Sequence, residues 1–143
     1  MTDKILKADI CIIGGGSGGL SVAAGAAQLG ASVVLFERAE MGGDCLNTGC
    51  VPSKAMLEAA KIAKIANNGM PSMGISAGQA QIDFGAVKAH VRDVIAGIAP
   101  HDSEERFRGL GVNVIKSEAS FTSKDSVTAI QDGEPISVRA KYF

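Results

Sequence analysis

The chain has almost no charge imbalance: 14 Lys and Arg stand against 15 Asp and Glu, for a net charge of −1. A nucleic-acid partner is therefore excluded, since phosphate backbones are held by a basic excess. No apolar run approaches the roughly 20 residues that a membrane-spanning helix needs. The first residues, with Asp3, Lys4, Lys7 and Asp9, lack the apolar core of a secretory signal. Three cysteines do not make an even disulfide framework. One of them, Cys11, falls inside a predicted strand and reads as a small buried hydrophobe. His90 and His101 lack a third ligand at metal spacing, so no metal site is expected. A cytoplasmic compartment is expected, where paired thiols do chemistry more often than they staple folds. What remains is a chain of 143 residues, 46% hydrophobic, sufficient for the core of one domain.

Against these absences stands the run Gly42-Gly43-Asp44-Cys45-Leu46-Asn47-Thr48-Gly49-Cys50-Val51-Pro52-Ser53-Lys54. Residues five apart in an unbroken α-helix are separated by about 7.5 Å along its axis, whereas a disulfide needs Cα atoms within roughly 4.4–6.8 Å. If Cys45 and Cys50 form a bridge, the segment cannot be regular helix. Gly49 permits a distorted turn, and Pro52 suits a first helical position. Cys50 is then at or near a helix N-terminus, where unpaired N–H groups and the helix dipole favour a thiolate, as does Lys54 one turn along. The expected chemistry is a dithiol that opens and closes. A purely structural bridge and two buried free thiols are the competing readings.

Upstream, the strand-like run Ala8-Asp9-Ile10-Cys11-Ile12-Ile13 leads into Gly14-Gly15-Gly16-Ser17-Gly18-Gly19, then an Ala-rich helix from Leu20 to Leu29 and a second strand, Ser32 to Phe36, ending at Glu37. Gly14, Gly16 and Gly19 fit the G-x-G-x-x-G dinucleotide pattern in its proper strand-turn-helix setting, and Glu37 follows at the distance where a carboxylate accepts ribose hydroxyls. No Gly-Lys-Ser/Thr follows the glycines, which disfavours a nucleoside triphosphatase loop. A glycine-rich turn without a ligand is the competing reading.

Helical signals continue from Pro52 to Ala66, with Met56, Leu57, Ala60 and Ala63 as the expected apolar face, Lys61 and Lys64 outside it, and Asn67-Asn68-Gly69 as the stop. Met70 to Gln81 reads as loop. Asp83 is placed to cap a second helix with the stripe Val87, Val91, Val94, Ile95 and Ile98, interrupted at Pro100. The mixed-charge run from Asp102 to Arg108 reads as a solvated helical face. Gly109 and Gly111 end the helix. Strands are expected at 112–115, 119–121, 127–130 and 136–138, with Gly133 in the last turn.

The loop from Ile12 to Gly19, Glu37, and the dithiol run together resemble the N-terminal part of the FAD-dependent pyridine nucleotide-disulfide oxidoreductases. That family includes dihydrolipoamide dehydrogenase, glutathione reductase and mercuric reductase. The dithiol segment and the stretch from Val91 to Phe107 look most like the mercuric-reductase-like or dihydrolipoamide-dehydrogenase-like members. The resemblance implies an α/β fold: a Rossmann-like FAD-binding domain, a parallel sheet with flanking helices plus a small antiparallel β element. It implies that residues 1–143 are the N-terminal fragment of a longer enzyme, cut before the return strand that leads to an Ala-Thr-Gly motif. NAD(P)H would bind a domain outside this chain. The full-length enzyme would be a homodimer whose acid-base His comes from the partner subunit, and the chain alone would be inactive. By similarity, Cys45 is the interchange thiol and Cys50 faces the flavin. FAD contacts fall to Gly14, Gly16, Ser17, Gly18, Gly19, Glu37, Arg38, Gly42, Gly43, Asp44, Cys45, Cys50, Lys54 and Ala119. Asp44 departs from the Thr that many members carry and adds a negative charge that opposes thiolate formation. The substrate would be a small molecule or a metal ion: mercuric ion, dihydrolipoamide or glutathione.

Overall fold

A computed structural model describes residues 4–143. Its elements, in chain order, are β1 (Lys4–Ile13), α1 (Ser17–Gln28), β2 (Val33–Phe36), α2 (Gly43–Asn47), α3 (Cys50–Asn68), α4 (Phe84–Ile98), α5 (Glu104–Gly109), β3 (Asn113–Ile115), β4 (Ala119–Ser123), β5 (Ser126–Gln131) and β6 (Glu134–Tyr142). Single turns of tighter helix occupy Pro71–Met73 and Ala99–Asp102, the latter where Pro100 stops α4. The fold is mixed α/β with one six-stranded sheet in the order β3-β2-β1-β6-β5-β4. The β3-β2-β1-β6 pairings are parallel and the β6-β5-β4 pairings antiparallel. This is a Rossmann-like arrangement with an antiparallel extension.

All four residues of β2 are buried, as a central parallel strand covered on both faces requires. Alternate residues feed two cores. On one side Ile12, Val33, Leu35 and Val114 meet Leu20 and Ala23 of α1 and Phe107 of α5. On the other, Cys11, Val34, Phe36 and Ile115 meet Val127, Ala129, Ile136 and Val138 of the antiparallel strands. Cys11 is fully buried as expected, and burial pushes its thiol up to about 11.

Three expectations need correction. First, the strand expected over 136–138 is longer: β6 runs from Glu134 to Tyr142 and pairs in parallel with β1 from Lys4 opposite Ile136 to Ile10 opposite Tyr142. Its inward residues Ile136, Val138 and Ala140 alternate with Ser137, Arg139 and Lys141, so the apolar pattern looks short. Asp132 and Gly133, both at positive φ, turn β5 into β6, a backbone that Asp-Gly favours. Second, the run from Asp102 to Arg108 is not only a solvated face: Ser103 caps α5 by accepting from the Arg106 N–H, and Phe107 is 1% exposed. Third, the apolar face of α3 is rotated from the expected one. Ala55 is buried and Met56, Ala59 and Ala63 are half-buried, while Ala60 is exposed and Leu57 is 67% exposed. Asp83 caps α4 as expected, its carboxylate accepting from the N–H groups of Gly85 and Ala86. Among the described residues no helix is long and apolar enough to cross a membrane.

Candidate functional site

The turn from β1 into α1 holds the predicted dinucleotide loop. Gly14 donates its N–H to the Phe36 carbonyl at 2.8 Å, and Gly16 precedes the first residue of α1, Ser17, with no side chain capping the helix. The N–H groups of the first turn, including Ser17, Gly18 and Gly19, therefore have no side-chain acceptor, and a helix N-terminus in that condition favours an anion. Gly19 must be glycine for packing: a Cβ there would collide with the Gly14 carbonyl oxygen.

Beside this loop lies a cavity of about 350 Å³, lined by Ile13, Gly14, Phe36, Glu37, Arg38, Ser117, Glu118 and Ala119. It joins four sequence-predicted site residues, Gly14, Glu37, Arg38 and Ala119. The Glu37 carboxylate is 8% exposed and accepts from the Gly15 N–H and the Ala39 N–H, each at 2.6 Å. Two bonds leave a carboxylate with unused acceptor capacity. Arg38 pairs with Glu118 at 2.9 Å, both side chains largely exposed at the cavity rim. Gly15 contributes through its backbone, and Ser117 and Glu118 come with Ala119, brought beside Glu37 and Arg38 by a sheet crossover of some 80 residues.

Across the loop, the dithiol turn meets it backbone to backbone. The Gly42 N–H donates to the Gly15 carbonyl at 2.8 Å, and a Cβ on Gly43 would lie 2.8 Å from the Gly16 Cα. Cys45 sits half-buried in the short helix α2, next to the buried Leu46. The chain then breaks. Thr48 and Gly49 both donate their N–H groups to the Asp44 carbonyl, at 3.0 and 2.5 Å, and a Cβ at Gly49 would lie 2.9 Å from that oxygen. The break lets α3 start afresh at Cys50, which is exposed. Pro52 is the third residue of α3 rather than the first, which is still inside the turn where an N–H has no helical acceptor.

Both cysteines are free thiols. The neighbouring Cys50 thiol holds the Cys45 thiol above its ordinary value; partial burial adds to this, and the charge of Lys54 pulls the other way. Lys54 and Asp44 are exposed. The predicted residues thus form two groups, an anion-favouring loop with its cavity and a dithiol turn, joined at Gly15-Gly16 and Gly42-Gly43. Asn47, given no role from sequence, donates its side-chain amide to the Met41 carbonyl at 3.1 Å and the Gly43 carbonyl at 2.9 Å. A larger cavity, about 470 Å³, lies elsewhere between α3 and α4 and contains none of the predicted site residues. Among the described residues, no three His, Cys, Asp or Glu side chains gather closely enough to hold a metal ion.

A family model described as pyridine nucleotide-disulphide oxidoreductase matches residues 8–141. The chain is 36% identical over 134 residues to a dihydrolipoyl dehydrogenase of Bacillus subtilis (strain 168), covering 91% of this chain and 27% of that protein. It is 35% identical over 137 residues to dihydrolipoyl dehydrogenase 2, mitochondrial, of Arabidopsis thaliana, covering 94% and 27%. A dihydrolipoyl dehydrogenase of Geobacillus stearothermophilus is 34% identical over 128 residues. The chain spans only 27% of the length of each of these relatives.

Proposed function

Since the chain belongs to the pyridine nucleotide-disulphide oxidoreductase family, we propose that residues 1–143 are the FAD-binding portion of a flavin-dependent disulfide oxidoreductase. FAD held by this chain would carry electrons from NAD(P)H to the Cys45–Cys50 disulfide and so to a substrate. The observation that supports this reading is the contact of Gly42-Gly43 with Gly15-Gly16, which puts the turn carrying Cys45 and Cys50 beside an anion-favouring helix N-terminus. The residues fit the cofactor. Glu37 has acceptor capacity for ribose hydroxyls, Ala119 is small enough to let an adenine edge approach backbone, and Arg38 rims that cavity. The first-turn N–H groups of α1 at Ser17, Gly18 and Gly19 would hold the pyrophosphate, with Gly14 and Gly16 keeping the approach free of side chains, and Gly42, Gly43, Asp44, Cys45, Cys50 and Lys54 would serve the isoalloxazine end.

FAD supplies two-electron transfer between a nicotinamide and a disulfide. The cysteines do the rest. Once both are reduced, the Cys45 thiolate attacks one sulfur of a substrate disulfide, forming a mixed disulfide and releasing the first substrate thiol. Cys50 then attacks the Cys45 sulfur, re-forming Cys45–Cys50 and releasing the second. The raised Cys45 thiol makes the first attack pH-dependent, since only its thiolate is the nucleophile, and Lys54 offsets part of that cost.

We place the nicotinamide site and the acid-base His outside this chain, the latter on the partner subunit of a homodimer, and the protein in the cytoplasm. The relatives' name, dihydrolipoyl dehydrogenase, supports a lipoamide-type disulfide and dithiol couple over mercuric ion, the disulfide form being the one reduced in the direction written here. In the whole protein carrying this chain, Cys45→Ser and Cys50→Ser should each lower NAD(P)H-dependent lipoamide reduction by a factor of at least about 1,000. A serine variant that kept wild-type turnover would overturn the reading.

A further inference from the structure

Asn47 stands two residues after Cys45 and three before Cys50, half-buried, and lines neither the cavity beside the loop nor the one between α3 and α4. A side-chain amide has two N–H hydrogens. Here both are engaged on the same turn, at the Met41 and Gly43 carbonyls. Those carbonyls flank Gly42, the residue bonded to Gly15. Asn47 is thus a cross-brace: it closes α2 back onto the segment that is itself fastened to the dinucleotide loop. Without it, the Cys45 end of the turn would be held mainly by the buried Leu46 and the two N–H bonds to the Asp44 carbonyl.

We propose that Asn47 is a positioning residue that presets the Cys45–Cys50 turn for disulfide closure and holds it in register with the dinucleotide loop. Closure costs the conformational freedom that the reduced turn still has. A turn already held by Asn47 loses less on closing, so its disulfide is favoured. The proposal rests on the reading of Cys45 and Cys50 as a redox pair.

The test equilibrates the 143-residue chain with mixtures of glutathione and glutathione disulfide, quenches, alkylates free thiols and counts them by intact mass. In this reaction glutathione disulfide takes two electrons and leaves as two glutathione thiols while the Cys45–Cys50 bond forms. Buried Cys11 serves as the internal control, because it resists alkylation only while the chain is folded. Asn47→Ala and the isosteric Asn47→Asp, which lacks the donors, should both shift the closure equilibrium toward dithiol by about tenfold, or about 30 mV for a two-electron couple, with Cys11 still protected. Wild-type equilibria in both variants would overturn the proposal. Should either expose Cys11, Asn47→Ser, which keeps one donor, replaces it; an intermediate shift supports the proposal and none overturns it. Failure of the wild-type chain to close at any glutathione ratio would instead overturn the redox reading beneath it.

Discussion

In the unit from β1 to β2, the side chains of Cys11, Ile12, Leu20, Ala23 and the whole of Val33–Phe36 are at most 8% exposed. In the helical pair, 19-residue α3 buries Ala55 alone and 15-residue α4 buries Val91 alone, with Leu57, Ile62 and Phe84 each more than half exposed. The two cysteines fall on either side of this divide: Cys45 on the short helix fastened to the glycine loop, Cys50 on the first residue of the loosely covered helix. A disulfide between them joins a tightly determined platform to an arm whose apolar side has little packed against it within this chain. Within this chain the two thiols are unequally exposed, Cys45 half-buried and Cys50 exposed.

The sharpest way to test the contrast is to remove equal chemistry from each side. Phe107→Ala empties a fully buried site in the platform core and should lower unfolding free energy by about 3–5 kcal/mol, whereas Leu57→Ala on α3 should change it by less than about 0.5 kcal/mol. Urea denaturation followed by far-UV circular dichroism measures both, and similar losses would erase the distinction. Next in size, Gly19→Ala brings a Cβ onto the Gly14 carbonyl and should cost about 3 kcal/mol. Gly97→Ala, in the interior of α4 with open space around the new methyl, should stabilise by up to about 1 kcal/mol. A melting temperature that rose for Gly19→Ala would show that the loop packs less tightly than described.

The smallest effect concerns pH. Asp9 accepts hydrogen bonds from Lys141 and from Ser32, which hold its carboxyl well below the ordinary 3.8. A folded value below the unfolded one means that Asp9 stabilises the fold above about pH 4 and loses that contribution as pH falls through the window beneath it. Asp9→Asn should flatten the dependence of the urea midpoint on pH below about 4, and the difference should shrink in high salt because the pair is exposed. An unchanged slope would contradict the link between β1 and β6 that this ion pair describes.

The parts of the site legible in the sequence were those that local backbone chemistry dictates. The glycine loop, Glu37, the break at Gly49, the Asp83 cap and the Gly133 turn each follow from what a Cβ, a carboxylate or a positive φ allows within a few residues. The orientation of α3 was not, because an Ala-rich helix offers several stripes of similar apolarity and only the position of α4 selects Ala55 and Ala59 over Leu57 and Ala60. β6 was read short because its pairing with β1 depends on a partner 132 residues away in sequence, as the Lys141–Asp9 bond shows. Phe107 was hidden by the charges around it. Asn47 bonds only to carbonyls, which carry no sequence signature.

The central claim is that a flavin on the Gly14–Gly19 loop lies against Cys50. It is tested most directly by adding FAD in excess to the reduced chain and recording its visible spectrum. The account predicts a long-wavelength charge-transfer band that saturates with FAD, persists in Cys45→Ser and disappears in Cys50→Ser. Bound FAD without that band in the wild-type chain, or a band that survives Cys50→Ser, would contradict it.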